Sequence, residues 1–327
     1  MALRGTESEV GIGDSGPTPN RLGLERHTDE PASPDRGLPE VAVTRRHRGV
    51  PIPSSVRAFQ RTASARLIVA PLAAVSTIGR AVMMAISVVR YIVQDGISLR
   101  LPVAEIVHQA WSLYKVTALP ALLMAVPFGG MVAVQSSGLL NQVGAASIVG
   151  AASGVGVVRQ GAPLTAGLLM GGAAASAIAS DLGARAIREE LDALRVMGID
   201  PVRNLVVPRF VALIILAPVL MAVIIASEVS ASFILAITVS EVTSGSFWAS
   251  FGAFAKIVDV WFAIGKAVVF AAIVGIVSSL KGIEAKGGPR GVADAVNAAV
   301  IVNVVGIVVA NLVITQVQSM FFPMVVA

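Results

Sequence analysis

Cysteine is absent from the 327 residues, which excludes disulfide frameworks, thiolate metal sites, redox CxxC chemistry and cysteine nucleophiles. Histidine is nearly absent: His27, His47 and His108 are too few and too scattered for a metal cluster. Charge is scarce as well, at 14% of residues, where a soluble domain carries about 25%. No G-x-x-x-x-G-K-[ST] occurs; Gly265-Lys266 is followed by Ala267 and lacks the upstream glycine. The chain therefore does not bind ATP by a P-loop, and any ATPase must be another polypeptide. No catalytic residue, metal ligand or cofactor is expected.

What is present is apolar. Hydrophobic residues make up 55% of the chain, and its mean hydropathy is +0.79. The balance of 25 Lys+Arg against 20 Asp+Glu gives a net charge of +5. With so few charges, that excess orients a chain in a bilayer rather than pointing to nucleic acid. Residues 1–66 differ: they hold 10 of the 25 basic residues, 8 of the 20 acidic ones and 7 of the 17 prolines. They read as a disordered cytoplasmic tail, and not as a signal peptide, because no apolar core follows a short basic start.

From Leu67 onward, charge-free stretches run over 116–158, 160–180, 210–227, 267–280 and 295–327. A helix needs about 20 apolar residues to cross a core of about 30 Å. The arginines at 185, 188, 195, 203 and 209, and the basic loop of Lys281, Lys286 and Arg290, belong in the cytoplasm by the positive-inside rule. Parity then predicts five spans, near 118–136, 162–181, 208–238, 260–280 and 294–321, with the N-terminus inside and the C-terminus outside. It leaves 139–158 as a re-entrant or interfacial segment on the outer side. It also makes 67–115 a region of interfacial amphipathic helices, its apolar run interrupted by Arg80 and Arg90. Residues 116–327 form the membrane-spanning domain. The fold class is an all-α integral membrane protein of five transmembrane helices. To these it adds an N-terminal interfacial helix, a re-entrant outer segment and a cytoplasmic coupling helix.

The segment from Asp181 to Pro201 is the most informative. Ile187, Leu191, Leu194 and Met197 recur at helical spacing, and Arg185 with Glu189 and Arg188 with Asp192 fall at i,i+4. Gly198 stops the helix and Pro201 prevents its continuation. Two readings fit: a solvated connector, or a docking helix that enters a groove on a soluble partner.

Glu189-Glu190-Leu191-Asp192-Ala193-Leu194, then Met197-Gly198-Ile199-Asp200-Pro201 and Leu205-Val206-Val207-Pro208-Arg209, resemble the EExDAL signature of the MlaE/YrbE permeases. The likeness includes Val158 to Pro163 and Lys281 to Gly288, and covers roughly 100–320. The Lys-Gly-Gly-Pro-Arg-Gly-Val run is similar to the actinobacterial YrbE branch, in which two different permeases pair. The resemblance implies a multi-pass cell-membrane permease of an ABC-type lipid transporter. Its implied partners are a second YrbE-type permease, a cytoplasmic ATPase dimer and external MCE-domain proteins. ATPase coupling falls to Glu189, Glu190, Leu191, Asp192, Leu194 and Met197. The chain departs from the MlaE pattern at Arg159-Gln160, where those members have Arg-Glu, and at Gly171 to Ala175, where they carry an arginine. Headgroup contacts inferred from those members therefore transfer to Arg159 only, and Gln160 beside it completes the candidate substrate-binding pair.

Arg159 reads either as an arginine snorkelling to the headgroups or as a cation at a cavity mouth that takes a phosphate or carboxylate. Gly167, Gly171, Ala175, Ala179 and Gly183, four apart, read as a helix-packing ridge. Glu228, the acid of the third apolar stretch, reads as solvated or paired; Lys266 reads as the lysine that the MlaE/YrbE permeases also carry there or, equally, as a snorkelling side chain. Asn297, Asn303 and Asn311 are read as bonding between helices. The competing function is an ion-coupled secondary carrier of hydrophobic substrates using Glu228 and Asp294. Against it stand the lack of an internal repeat and an odd number of spans.

Overall fold

A computed structural model describes residues 76–95 and 102–322 of the chain. The disordered tail expected over 1–66 lies outside them. The described residues are helical with no strand, and the protein is an all-α integral membrane protein. Along the chain come α1 (Ser76–Asp95), α2 (Val103–Gln142), α3 (Ala146–Ile187), α4 (Glu190–Val196), α5 (Val202–Thr238), α6 (Ser244–Phe254), α7 (Ile257–Ile283) and α8 (Gly288–Phe321). All but α4 and α6 are long and apolar enough to cross a membrane, which makes six candidates by length and composition.

Five of the six run up and down one bundle. Lys266 of α7 bonds Thr315 of α8, and Ser278 accepts from Asn303, so α7 and α8 are antiparallel neighbours. Gly129 of α2 lies against the backbone of Glu228 in α5, while the tip of α3 packs on α6 through Gly150 and Phe247. The core is built of small and branched residues: Ala166, Met170, Ala174 and Ile178 of α3 meet Leu213, Leu220 and Ile224 of α5 and Phe270 and Val274 of α7. The bundle thus has an α4 end and an α6 end.

The sixth candidate, α1, is tied at both ends to the α4 end. Arg80 pairs with Glu284 at 3.0 Å, and Asp95 pairs with Arg203. Glu284 closes α7 and Arg203 opens α5, so α1 lies across that end of the bundle. Its outward side is apolar (Ile78, Val82, Ile86, Val89 and Val93 are exposed), as suits a helix in the interface.

Two expectations change. Residues 139–158 form the apex of a helical hairpin instead of a re-entrant unit: α2 ends at Gln142, Gly144 turns the chain at φ 69, and α3 restarts at Ala146. Nothing in the sequence from 146 to 187 breaks a helix, because Pro163 sits where wider π-turns at 156–161 absorb it. Residues 103–115, expected to belong with the interfacial helices, are continuous with α2, and Pro120 and Pro127 lie inside that helix without ending it. The glycine ridge of α3 does pack as expected. A Cβ on Gly167 would meet Ile307 at 2.6 Å, and one on Gly183 would meet Val292 at 3.0 Å, both of α8.

Candidate functional site

Two polar assemblies stand at opposite ends of the bundle. At the first, α3 stops at Ile187 and α4 begins at Glu190, separated by Glu189 at φ 60 and ψ 14. A side chain in this left-handed conformation costs about 1–2 kcal/mol. The corner therefore needs support, and ion pairs give it. Arg209, 4% exposed at the base of α5, donates to the Leu205 carbonyl at 2.7 Å and pairs with Asp181. Asp181 accepts from Arg185 at 3.4 Å, Arg185 reaches Glu190 at 3.7 Å, and Glu190 meets Arg188 at 2.9 Å. The outer members are exposed and individually worth little, whereas buried Arg209 fixes the chain to α5.

This geometry corrects the reading of 181–201 as one helix. Because the corner at Glu189 breaks the register, the expected Arg185–Glu189 and Arg188–Asp192 pairs are replaced by Arg185–Asp181, Arg188–Glu190 and Arg195–Asp192. Leu191 is buried against the bundle and Leu194 half-buried, so the stripe predicted to face a partner faces inward there. The large apolar side chains most in the open are Val196 (90% exposed) and Met197 (64%), ahead of Ile199, with Glu189 and Asp192 exposed nearby. Gly198, at φ 78, ends α4 as the sequence suggested.

The second assembly lies at the α6 end, where α3, α7 and α8 meet. Arg159 and Gln160 sit in the π-turn of α3. Arg159 lies 2.8 Å from Asp259, a close charge pair whose Nε–H is not aimed at the oxygen. Asp259 also accepts from Gln318 at 2.9 Å and from the Lys256 amide at 3.2 Å. Lys266, fully buried, donates to the Arg159 carbonyl at 2.8 Å and to Thr315 at 2.9 Å. Gln160 donates to Thr315 at 3.4 Å and accepts from Asn311 at 3.3 Å. In their ordinary ionised forms the cluster holds two cations and one anion. Lys266 does not snorkel, and Arg159 is a paired, largely buried group. Asp259 and Gln318 were missed by the sequence reading; an acid three residues into a span start was the available signal.

Glu228 stands apart from both. It is fully buried, accepts from Thr165 at 2.7 Å through Oε1, and has no partner at Oε2. A Cβ on Gly161 would strike that oxygen at 2.7 Å, so the glycine makes room for the carboxyl. Of the two expected roles it takes the paired one. Thr165→Val keeps the shape and deletes the single donor, so it is expected to lower stability by about 1–3 kcal/mol, read from thermal unfolding in detergent. An unchanged unfolding curve would contradict it. Asp294 is exposed near the start of α8 and does not join Glu228. Among the described residues, no group of His, Asp and Glu is placed to hold a metal ion.

Comparison with known proteins gives this arrangement its relatives. The chain is 27% identical over 190 residues to a probable ABC transporter permease protein of Synechocystis, covering 58% of this chain and 72% of that one. It is 28% identical over 200 residues to a probable ABC transporter permease protein of Rickettsia typhi, covering 61% and 77%. It is 32% identical over 134 residues to the intermembrane phospholipid transport system permease protein MlaE of Haemophilus influenzae, covering 41% and 51%. The family model described as Permease MlaE matches residues 106–317, a span that takes in the corner at Glu189 and all of the two polar assemblies but Gln318, and the chain belongs to that family.

Proposed function

We propose that this chain is the membrane permease of an ABC-type lipid transporter, paired with a second permease and driven by a separate ATPase dimer that grips α4. The N-terminus and α4 lie in the cytoplasm in this reading, and the α6 end faces outward toward MCE-domain proteins. The observation that carries it is α4 itself: a short helix, braced from α5 through Arg209, that leaves Val196 and Met197 in the open beside acidic groups. Exposed apolar side chains flanked by charge are what a groove on a soluble partner accepts. Glu189, Glu190 and Asp192 would steer that contact, while Leu191 and Leu194 anchor α4 to the bundle. At the other end, the surplus cation of the Arg159–Asp259–Lys266 cluster favours an anionic headgroup, phosphate or carboxylate, near Arg159 and Gln160. The phospholipid named for the Haemophilus relative is the first substrate class to test.

The test is copurification. Glu190→Lys reverses the charge that holds Arg185 and Arg188. It, or deletion of 187–197, is expected to lower recovery of the ATPase at least tenfold while the permease stays monodisperse. Full recovery of the ATPase would overturn the docking assignment. Lipid transfer in proteoliposomes driven by an ion gradient without ATPase would instead support the ion-coupled carrier.

A further inference from the structure

The N-terminal helix α1 shares little surface with the bundle, yet it carries a group that has no place in apolar packing. Asp95 is 5% exposed and is engaged by Arg203 through two nitrogens, one of them Nε at 3.0 Å. One turn earlier, Tyr91 donates to Asp200, and the Arg203 guanidinium lies 6.0 Å from the centre of the Tyr91 ring. Beside these, Val88 is buried among Val206, Val207 and Phe210. Burying a carboxylate is costly, and an apolar side chain would hold α1 to this surface as firmly. What the ionic pair adds is direction: a two-nitrogen fork on a carboxylate fixes both distance and angle.

The partners that α1 takes are telling. Asp200 lies on the short stretch by which α4 runs into α5 and Arg203 in the first turn of α5, and Asp200 also accepts the Val202 amide at 2.9 Å. Arg209 braces the entry to α4 from one side, and Tyr91 and Asp95 grip its exit from the other. Farther back on α1, Arg80 holds Glu284 at the end of α7. Displacement of α4 therefore reaches two spans, α5 directly and α7 by way of α1.

We propose that Tyr91 and Asp95 are positioning residues for energy coupling, and that α1 is a link through which motion of α4 is passed across the face of the bundle to α7. The proposal rests on the reading of α4 as the ATPase docking helix. Its role is to connect hydrolysis to lipid movement, not to bind the ATPase.

The experiment uses the complete transporter, permeases with ATPase, in proteoliposomes loaded with a fluorescent phospholipid, and reads lipid moved per ATP hydrolysed. Asp95→Asn is expected to lower that ratio about tenfold with ATPase recovery unchanged. Arg203→Gln is expected to do the same, and the double variant to be no worse than either, since all three remove one link. Asp95→Glu, which keeps the charge, is expected to retain at least half of the parent ratio. Should Asp95→Asn fail to fold, Tyr91→Phe deletes a single hydroxyl and is expected to lower the ratio about threefold. A parental ratio in Asp95→Asn, or in Tyr91→Phe where it is the variant tested, overturns the proposal. So do losses that multiply in the double variant, or loss of the ATPase from an intact permease. Failure of the docking reading looks different, because there the ATPase is recovered in full with Glu190→Lys.

Discussion

Gly129→Val is expected to unfold or disperse the permease in mild detergent, with a loss of about 3 kcal/mol or more. A Cβ at 129 would lie within van der Waals overlap of the Glu228 carbonyl oxygen, Cα and carbonyl carbon. Those are backbone atoms in the middle of α5, so no side-chain rotation relieves the clash, and α2 must move off α5. Overpacking commonly costs about 1–3 kcal/mol when side chains can give way, and more when they cannot. Displacing α5 there would also strip Glu228 of Thr165. Gly138→Ala is the control. It lies nine residues farther along α2, has nothing within 4 Å of its added carbon, and should behave as the parent. Equal behaviour of the two variants in size-exclusion chromatography and thermal unfolding would refute the packing argument.

The second large effect is an asymmetry. Asp259→Asn leaves Arg159 and Lys266 in one buried cluster with no anion, a situation that costs about 3–5 kcal/mol. It also weakens the hold on Gln318 and on the Lys256 amide. Lys266→Met removes one of two cations and leaves the Arg159–Asp259 pair balanced, so its cost is that of two lost hydrogen bonds, about 1–3 kcal/mol. Asp259→Asn should therefore be the less stable of the two by thermal unfolding. If Lys266→Met proved the worse, the count of two cations against one anion would be wrong.

Much of this architecture could be read from residue order alone. The spans follow from runs such as 210–227 and 267–280, and the end of α4 from Gly198 and Pro201, because these depend on local composition and backbone freedom. The corner at Glu189 was hidden. Its left-handed conformation is imposed on a residue that rarely adopts it, by ion pairs that reach across to α5, and no neighbouring glycine or proline announces it. The polar cluster at the α6 end was half legible. Arg159 and Gln160 stood out through family likeness, whereas Asp259 and Gln318 carry no motif and become a pair only when α7 and α8 are laid side by side. The hairpin apex was misread because charge parity fixes the sides on which loops lie but not the height at which a helix turns.

That height has its own consequence. At 40 residues α2 is about 60 Å tall, roughly twice an oil layer of about 30 Å. Leaning takes up at most about half of the surplus, since at about 40°, the steepest tilt seen in such helices, α2 still stands about 46 Å tall. Only a middle section, near 118–136, fits in hydrocarbon. With the span at 118–136, the portion before it, bearing Glu105, His108, Gln109 and Lys115, would stand about 22 Å proud of the acyl chains. Under the docking reading proposed above, machinery arriving at α4 would meet a pedestal above the lipid surface, where a stroke could be delivered without pushing against headgroups.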